Sequence, residues 1–170
     1  MYGTVRRPKR GERRLVGIRL DLSAGCCGGA ILLPMLPYNL DHVAIAVHDL
    51  DAALERFAEQ YAVAPIHREV VEEQGVEEAM LPVGGSFVQL LQPLTPHTPV
   101  GRFLERRGEG MHHIAFAVAD IEAALTHLAD SGARLIDETP RIGGGGHRIA
   151  FVHPKEFAGT LIELVERTDG

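Results

Sequence analysis

Disulfide chemistry has almost nothing to work with in this chain. Its 170 residues include two cysteines, Cys26 and Cys27, and they are adjacent. Neighbouring cysteines cannot clamp distant segments, so a disulfide framework is excluded and a reducing, cytoplasmic setting is expected. Long apolar runs are missing too. None approaches the ~20 residues that cross a bilayer, so no membrane partner is expected. Basic residues are scarce once the N-terminal stretch is passed. Residues 1–34 hold seven of the 17 Lys and Arg and two of the 23 Asp and Glu, leaving 10 basic against 21 acidic residues, a net −11, in 35–170. Such an acidic body argues against a nucleic-acid partner.

What is present is a repeat. Asp41-His42-Val43-Ala44-Ile45-Ala46-Val47-His48-Asp49-Leu50 returns, without a gap, as His112-His113-Ile114-Ala115-Phe116-Ala117-Val118-Ala119-Asp120-Ile121, offset by 71 residues. Repetition on this scale means two copies of one small unit. The composition, 45% hydrophobic and 24% charged, is that of one globular domain.

Residues 1–38 read as an N-terminal extension, Arg-rich and without periodicity, that is disordered or weakly ordered. An organelle-targeting peptide, or sequence upstream of a start at Met35, are the competing readings. The apolar stretch Ala30–Leu33 is too short for a secretory signal. Residues 39–170 read as a single domain: module one 39–93, a connector 94–110 and module two 111–170.

Alternation and helical spacing set the elements. In module one, strands are expected at His42–Val47, Ile66–Val71, Val76–Leu81 and Phe87–Gln92. A helix is expected over Leu50–Gln60, capped by Asp49, and a turn at Gly84-Gly85. The connector carries a short helix around Val100, Phe103 and Leu104. Module two repeats the order, with a strand at 112–118, a helix at 121–131 and strands near 133–137, 147–152 and 160–166. The fold class is therefore α+β: two tandem βαβββ modules forming a curved mixed sheet.

Strand parity then sorts the side chains. His42, Ala44 and Ala46 share one face, as do His113, Ala115 and Ala117. The bulkier Val43, Ile45 and Val47, with Ile114, Phe116 and Val118, should pack on the helices. Alanines beside a histidine leave room for a ligand. By the same parity His112 should face away from His113. The last strand of each module adds a polar residue amid apolar ones, Gln89 and Glu163. A carboxylate in such a strand is costly unless paired or metal-bound.

Each of these residues alone has a plain structural reading, as a satisfied core histidine or an outward-facing polar side chain. Four of them at duplicated positions favour a shared metal site of His42, Gln89, His113 and Glu163. No thiolate lies nearby, which argues against a structural zinc cage. Two nitrogens and two oxygens suit an octahedral divalent ion with two positions left for substrate, and Co²⁺, Mn²⁺, Ni²⁺, Zn²⁺ and Mg²⁺ are all compatible.

Paired βαβββ units carrying His, Gln, His and Glu resemble the vicinal oxygen chelate superfamily and, within it, the methylmalonyl-CoA epimerase family. The resemblance spans about 39–166. It rests also on Glu73-Gln74-Gly75-Val76, Gly108-Glu109-Gly110-Met111-His112-His113, Leu135-Ile136-Asp137-Glu138 with Pro140-Arg141-Ile142-Gly143, and His153-Pro154-Lys155 followed by Gly159-Thr160-Leu161-Ile162-Glu163-Leu164. It implies the vicinal oxygen chelate fold, an acyl-CoA substrate, a divalent metal with Co²⁺ first, and a homodimer. The implied reaction is epimerisation at C2 of (2R)- and (2S)-methylmalonyl-CoA. Chelation of the substrate oxygens would acidify the C2 proton and stabilise the resulting enolate.

The family's base maps onto Glu78, where partial burial would raise the pKa usefully. Glu72, Glu73 and Glu77 read as solvated. Glu163, a metal-bound water or Glu78 itself is left to return the proton. Backbone amides of Gly144 and Gly145 are expected to meet the substrate carboxylate, and Arg148 and Lys155 the CoA phosphates, a surface role being the alternative for both. The Gly143–Gly146 run lacks the companion residues of a nucleotide loop. Two other functions use the same scaffold: a glyoxalase-type isomerase acting on a thiol adduct, and a small-molecule-binding protein without catalysis. A ring-cleaving dioxygenase fits poorly, because Gln89 stands where such a site is open.

Overall fold

The computed structural model describes residues 39–168. The extension expected over 1–38, with Cys26 and Cys27, lies outside the described residues.

Module one contains β1 (Asn39–Ala46), α1 (Leu50–Tyr61), β2 (His67–Val71), β3 (Val76–Val83) and β4 (Ser86–Pro93). The connector forms α2 (Pro99–Arg107). Module two contains β5 (Gly110–Ala117), α3 (Ile121–Asp130), β6 (Arg141–Ile142), β7 (Arg148–Val152) and β8 (Leu161–Glu166). The strands make one curled mixed sheet in the order β2-β3-β4-β1-β5-β8-β7-β6. Within each module the first and last strands pair in parallel, β1 with β4 and β5 with β8. The modules join through antiparallel β1 and β5.

That join reveals the symmetry. His42 lies opposite Ala115, Ala44 opposite His113, and Val43 opposite Ile114. At the 71-residue offset His113 is the mate of His42, Ile114 of Val43 and Ala115 of Ala44, so the register maps onto itself and a pseudo-twofold axis passes through the Val43–Ile114 pair. It sets the two histidines symmetrically about the middle of the sheet.

The helices attach in matching ways. Asp49 Oδ1 accepts from the Ala52 N–H, and Asp120 Oδ1 from the Ala123 N–H, both at 2.9 Å. Each cap contributes about 1 kcal/mol. The last strand of each module reaches the same helix start: Gln92 Oε1 accepts from the Leu50 N–H and Glu166 Oε2 from the Ile121 N–H. Helix α1 packs through Leu50, Ala53, Leu54 and Phe57 against Ile45, Val47, Ala79, Leu81 and Leu90. Helix α3 packs through Ile121, Ala124, Leu125 and Leu128 against Ile114, Phe116, Ala150, Ile162 and Leu164. The bulky faces of β1 and β5 thus meet their helices as parity requires.

Three expectations are corrected. Near 133–137 only a single antiparallel bridge forms, Leu135 to Val152, and no strand. The Ile136 and Asp137 N–H groups converge on one carbonyl, that of Phe151, and the Asp137 carboxylate takes the Phe151 N–H. A ladder cannot propagate from bonds shared in this way, and the edge strand forms later, as the two-residue β6 after Pro140. The alanines of the histidine face do not line a cavity. Ala44 and Ala46 are fully buried under α2, against Val100 and Leu104, and Ala115 packs with Ile149, Phe151 and Val165. Nor does His112 face away from His113. The β1–β5 register slips between Ala44/His113 and Ile45/Met111. His112 is the extra residue of a β-bulge, where alternation is interrupted. Its ring lies against that of His113 and edge-on to Phe103 of α2.

Among the described residues no helix is long and apolar enough to cross a membrane.

Candidate metal centre and base

The open end of the histidine face bounds a cavity of about 320 Å³. On its floor the His42 and His113 Nε2 atoms lie 3.1 Å apart, and each lies 3.1 Å from Glu163 Oε2. An equilateral triangle of this edge is one face of an octahedron with bonds of about 2.2 Å, close to the octahedral spacing of small divalent ions. All three side chains are buried. Gln89 lines the same cavity, on the strand beside β1. Its Nε2 donates to Glu78 Oε2 at 3.0 Å, while its Oε1 is buried without a hydrogen-bond partner. A buried carbonyl oxygen beside two imidazoles and a carboxylate is an acceptor that no hydrogen reaches, and a divalent cation would satisfy its lone pair. The donor set fits the ion that the sequence implies.

The electrostatics agree with a site shaped for positive charge. Burial lowers the pKa of His42, yet hydrogen bonds and charge from Asp41 and Glu163 outweigh it and raise the value to about 9. Burial alone would raise that of Glu163, but His113 and then His42 hold its carboxyl well below the usual range. Binding a metal here would release the His42 proton.

Behind His42 stands a second layer. Its Nδ1 donates to Asp41 Oδ1 at 2.8 Å. Arg167 clamps that carboxylate with two bonds, at 2.7 and 2.9 Å, and lies over the Phe87 ring. A carboxylate behind a ligand histidine fixes the tautomer that leaves Nε2 free for the metal.

Glu78 is 3% exposed and faces the cavity from β3. Burial, then the charge of Glu69 across the β2–β3 ladder, and then Glu163 push its pKa up to about 7, against the opposing Gln89 hydrogen bond. That range suits a general base.

Gly144 and Gly145 are in the cavity wall, in a tight turn spanning Gly144–Gly146. A Cβ at Gly144 would collide with the Glu78 carboxylate, so only glycine admits the base this close. The Gly145 N–H is engaged by Glu69 Oε1 at 2.5 Å, which takes that amide away from the role expected for it. Arg148 and Lys155 are not brought to the cavity. Arg148 pairs with Glu122 and Glu166 on the α3 side of the sheet, because its neighbour Ile149 takes the cavity side. Lys155 is exposed in the turn Pro154–Glu156. Sequence reasoning assigned no role to Asp41, Arg167, Glu69 or His112. The repeat did carry one signal, since Asp41 and His112 are mates at the 71-residue offset.

Residues 41–151 match the model of the glyoxalase/bleomycin resistance protein/dioxygenase superfamily. The chain belongs to that superfamily and, within it, to the methylmalonyl-CoA epimerase family. It is 37% identical to the ethylmalonyl-CoA/methylmalonyl-CoA epimerase of Cereibacter sphaeroides, over 74% of this chain and 96% of that one. It is 42% identical to the uncharacterised Bacillus subtilis protein YqjC, over 75% and 91%. Among solved structures, it is 45% identical to a variant of the Streptomyces coelicolor methylmalonyl-CoA epimerase in complex with 2-nitronate-propionyl-CoA, with a TM-score of 0.74 over 76% and 94% of the two chains.

Proposed function

We propose that this protein epimerises methylmalonyl-CoA at C2, with Glu78 as the base and His42, Gln89, His113 and Glu163 as holders of a divalent metal. One observation carries the reading: a buried carboxylate with a pKa of about 7 is hydrogen-bonded to the amide whose other end is an orphaned donor of the metal cluster. Held by those donors, a divalent ion supplies Lewis-acid stabilisation of the negative charge that develops when C2 is deprotonated. Glu78 takes the proton. Gln89 holds its carboxylate by one oxygen, leaving the other to face C2. Beside it, Glu69 accepts from the N–H of Gly145 in the cavity wall. Glu163 also lines the cavity, and we assign it the opposite face of C2. When Glu78 abstracts, Glu163 delivers a proton drawn from solvent to that face; in the reverse direction Glu163 takes the C2 proton and protonated Glu78 delivers one.

The test is proton exchange. Purified protein in D₂O with either epimer, plus Co²⁺, should incorporate deuterium at C2 and drift toward a mixture of epimers, and a chelator should stop both. An absence of exchange with all of Co²⁺, Mn²⁺, Ni²⁺, Zn²⁺ and Mg²⁺ would overturn the reading.

A further inference from the structure

The β1–β5 register slips twice. One slip leaves Asp41 as the extra residue between Leu40 and His42; the other leaves His112 as the extra residue before His113. The two bulged residues are repeat mates, and each immediately precedes a histidine of the metal cluster. A bulge re-aims a side chain that alternation would send to the opposite face. In module one it presents the Asp41 carboxylate to His42 Nδ1 at 2.8 Å. In module two it presents His112 Nδ1 to His113 Nδ1 at 2.9 Å. Two imidazole nitrogens at that distance share one proton, one donating and the other accepting. With His113 Nε2 turned to the metal cluster, the proton belongs on His113 Nδ1 and the acceptor is His112.

We propose that His112 is the positioning residue of His113: it accepts the Nδ1–H bond, fixes the tautomer that points Nε2 at the metal, and so does with a second imidazole what Asp41 does with a carboxylate for His42. Phe103 of α2, edge-on to the His112 ring at a centroid distance of 5.0 Å, holds that ring in place. The connector helix thereby reaches the metal centre through one intermediary. The inference rests on the metal donor set described above.

The test is Co²⁺ binding by the full chain, measured by chelator competition and by the visible absorption of the bound ion. His112→Phe keeps an aromatic ring against Phe103 but removes the acceptor. His112→Asn restores an acceptor oxygen near the position of Nδ1. Loss of such an outer partner costs about 10- to 100-fold in metal affinity. His112→Phe should lose that much and shift the absorption bands, while His112→Asn should stay close to wild type. Wild-type affinity and spectrum in His112→Phe, or an equal loss in both variants, would overturn the proposal. A wild-type chain that binds no Co²⁺ would instead sink the metal reading itself. Should His112→Phe fold poorly, long-range proton–nitrogen NMR of the unaltered Zn²⁺ protein decides the matter. The proposal requires the proton on Nδ1 of His113 and an unprotonated Nδ1 on His112, and the reverse pattern refutes it.

Discussion

On β3, Glu78 stands opposite Leu91; at the matching place on β7, Ile149 stands opposite Val165. The two modules agree almost wherever a helix must be seated. Asp49 and Asp120 cap α1 and α3 with the same bond, and Gln92 and Glu166 reach the same helix start. They disagree where side chains face the cavity: glutamate against isoleucine, Gln89 against Glu163, and Asp41 against His112 behind the histidines. Duplication supplied a symmetric frame whose axis passes between residues able to hold an ion. The proposed reaction would gain nothing from full symmetry, because glutamate at positions 89 and 149 as well as at 78 and 163 would crowd four glutamates around a cavity that Asp41 also lines.

The sharpest way to break the comparison is to remove the residue that module two lacks. Glu78→Gln should slow C2 exchange about 100- to 10,000-fold, the range for a general base, with Co²⁺ affinity nearly unchanged. Normal turnover would remove Glu78 from the reaction. Gln89→Glu makes the modules match at the fourth donor. It retains an oxygen for the metal but sets a second carboxylate against Glu78 Oε2, now 3.0 Å from the Gln89 amide. Like charges raise a carboxyl pKa, and each unit costs about tenfold in the ionised fraction at neutral pH. We expect a loss of about tenfold or more in kcat/KM near pH 7 with tight Co²⁺ binding. Equal losses of binding and rate would contradict this.

A pH profile probes the same difference more finely. In the proposed role Glu78 would act when ionised, so kcat/KM should rise with pH through about 7. Burial is the main cause of that high value and the Glu69 charge comes next. Glu69→Gln removes a negative neighbour and favours the ionised form. Its inflection should move to lower pH, and the variant should retain a larger share of its activity at pH 6. An inflection that stays put or rises would show that the Glu69 charge does not act on the base. The smallest effects test the shared frame. Asp49→Ala and Asp120→Ala should each cost about 1 kcal/mol in urea unfolding and agree within ~0.5 kcal/mol. A large disparity would mean that the two helix starts are not equivalent.

The repeat, the helices and seven of the eight strands were legible because they follow from local periodicity, which an ungapped offset preserves. His42, Gln89, His113, Glu163 and Glu78 could be named together because parity and duplication both mark them. Parity misled at His112, since a single inserted residue reverses alternation and leaves no mark in composition. Misplacement of the strand near 133–137 has a similar cause: Leu135 and Ile136 have strand-like side chains, but hydrogen bonds converging on Phe151 forestall the ladder. Glu69 could not be found by pattern, because its contact with Gly145 spans 76 residues and depends on the curl of the whole sheet. Arg148 was drawn toward the substrate by its charge, whereas its side chain points to α3.

That contact between Glu69 and Gly145 has a kinetic meaning. The sheet is an open ring, and here strand β2 at one end meets the turn beside β6 at the other. A bond from an amide to a carboxylate contributes about 1.5–3 kcal/mol, a small barrier for a glycine turn whose motions run from nanoseconds to microseconds. Turnover in enzymes runs at about 1–10³ per second. A seam held by such a bond moves on a time scale far shorter than that.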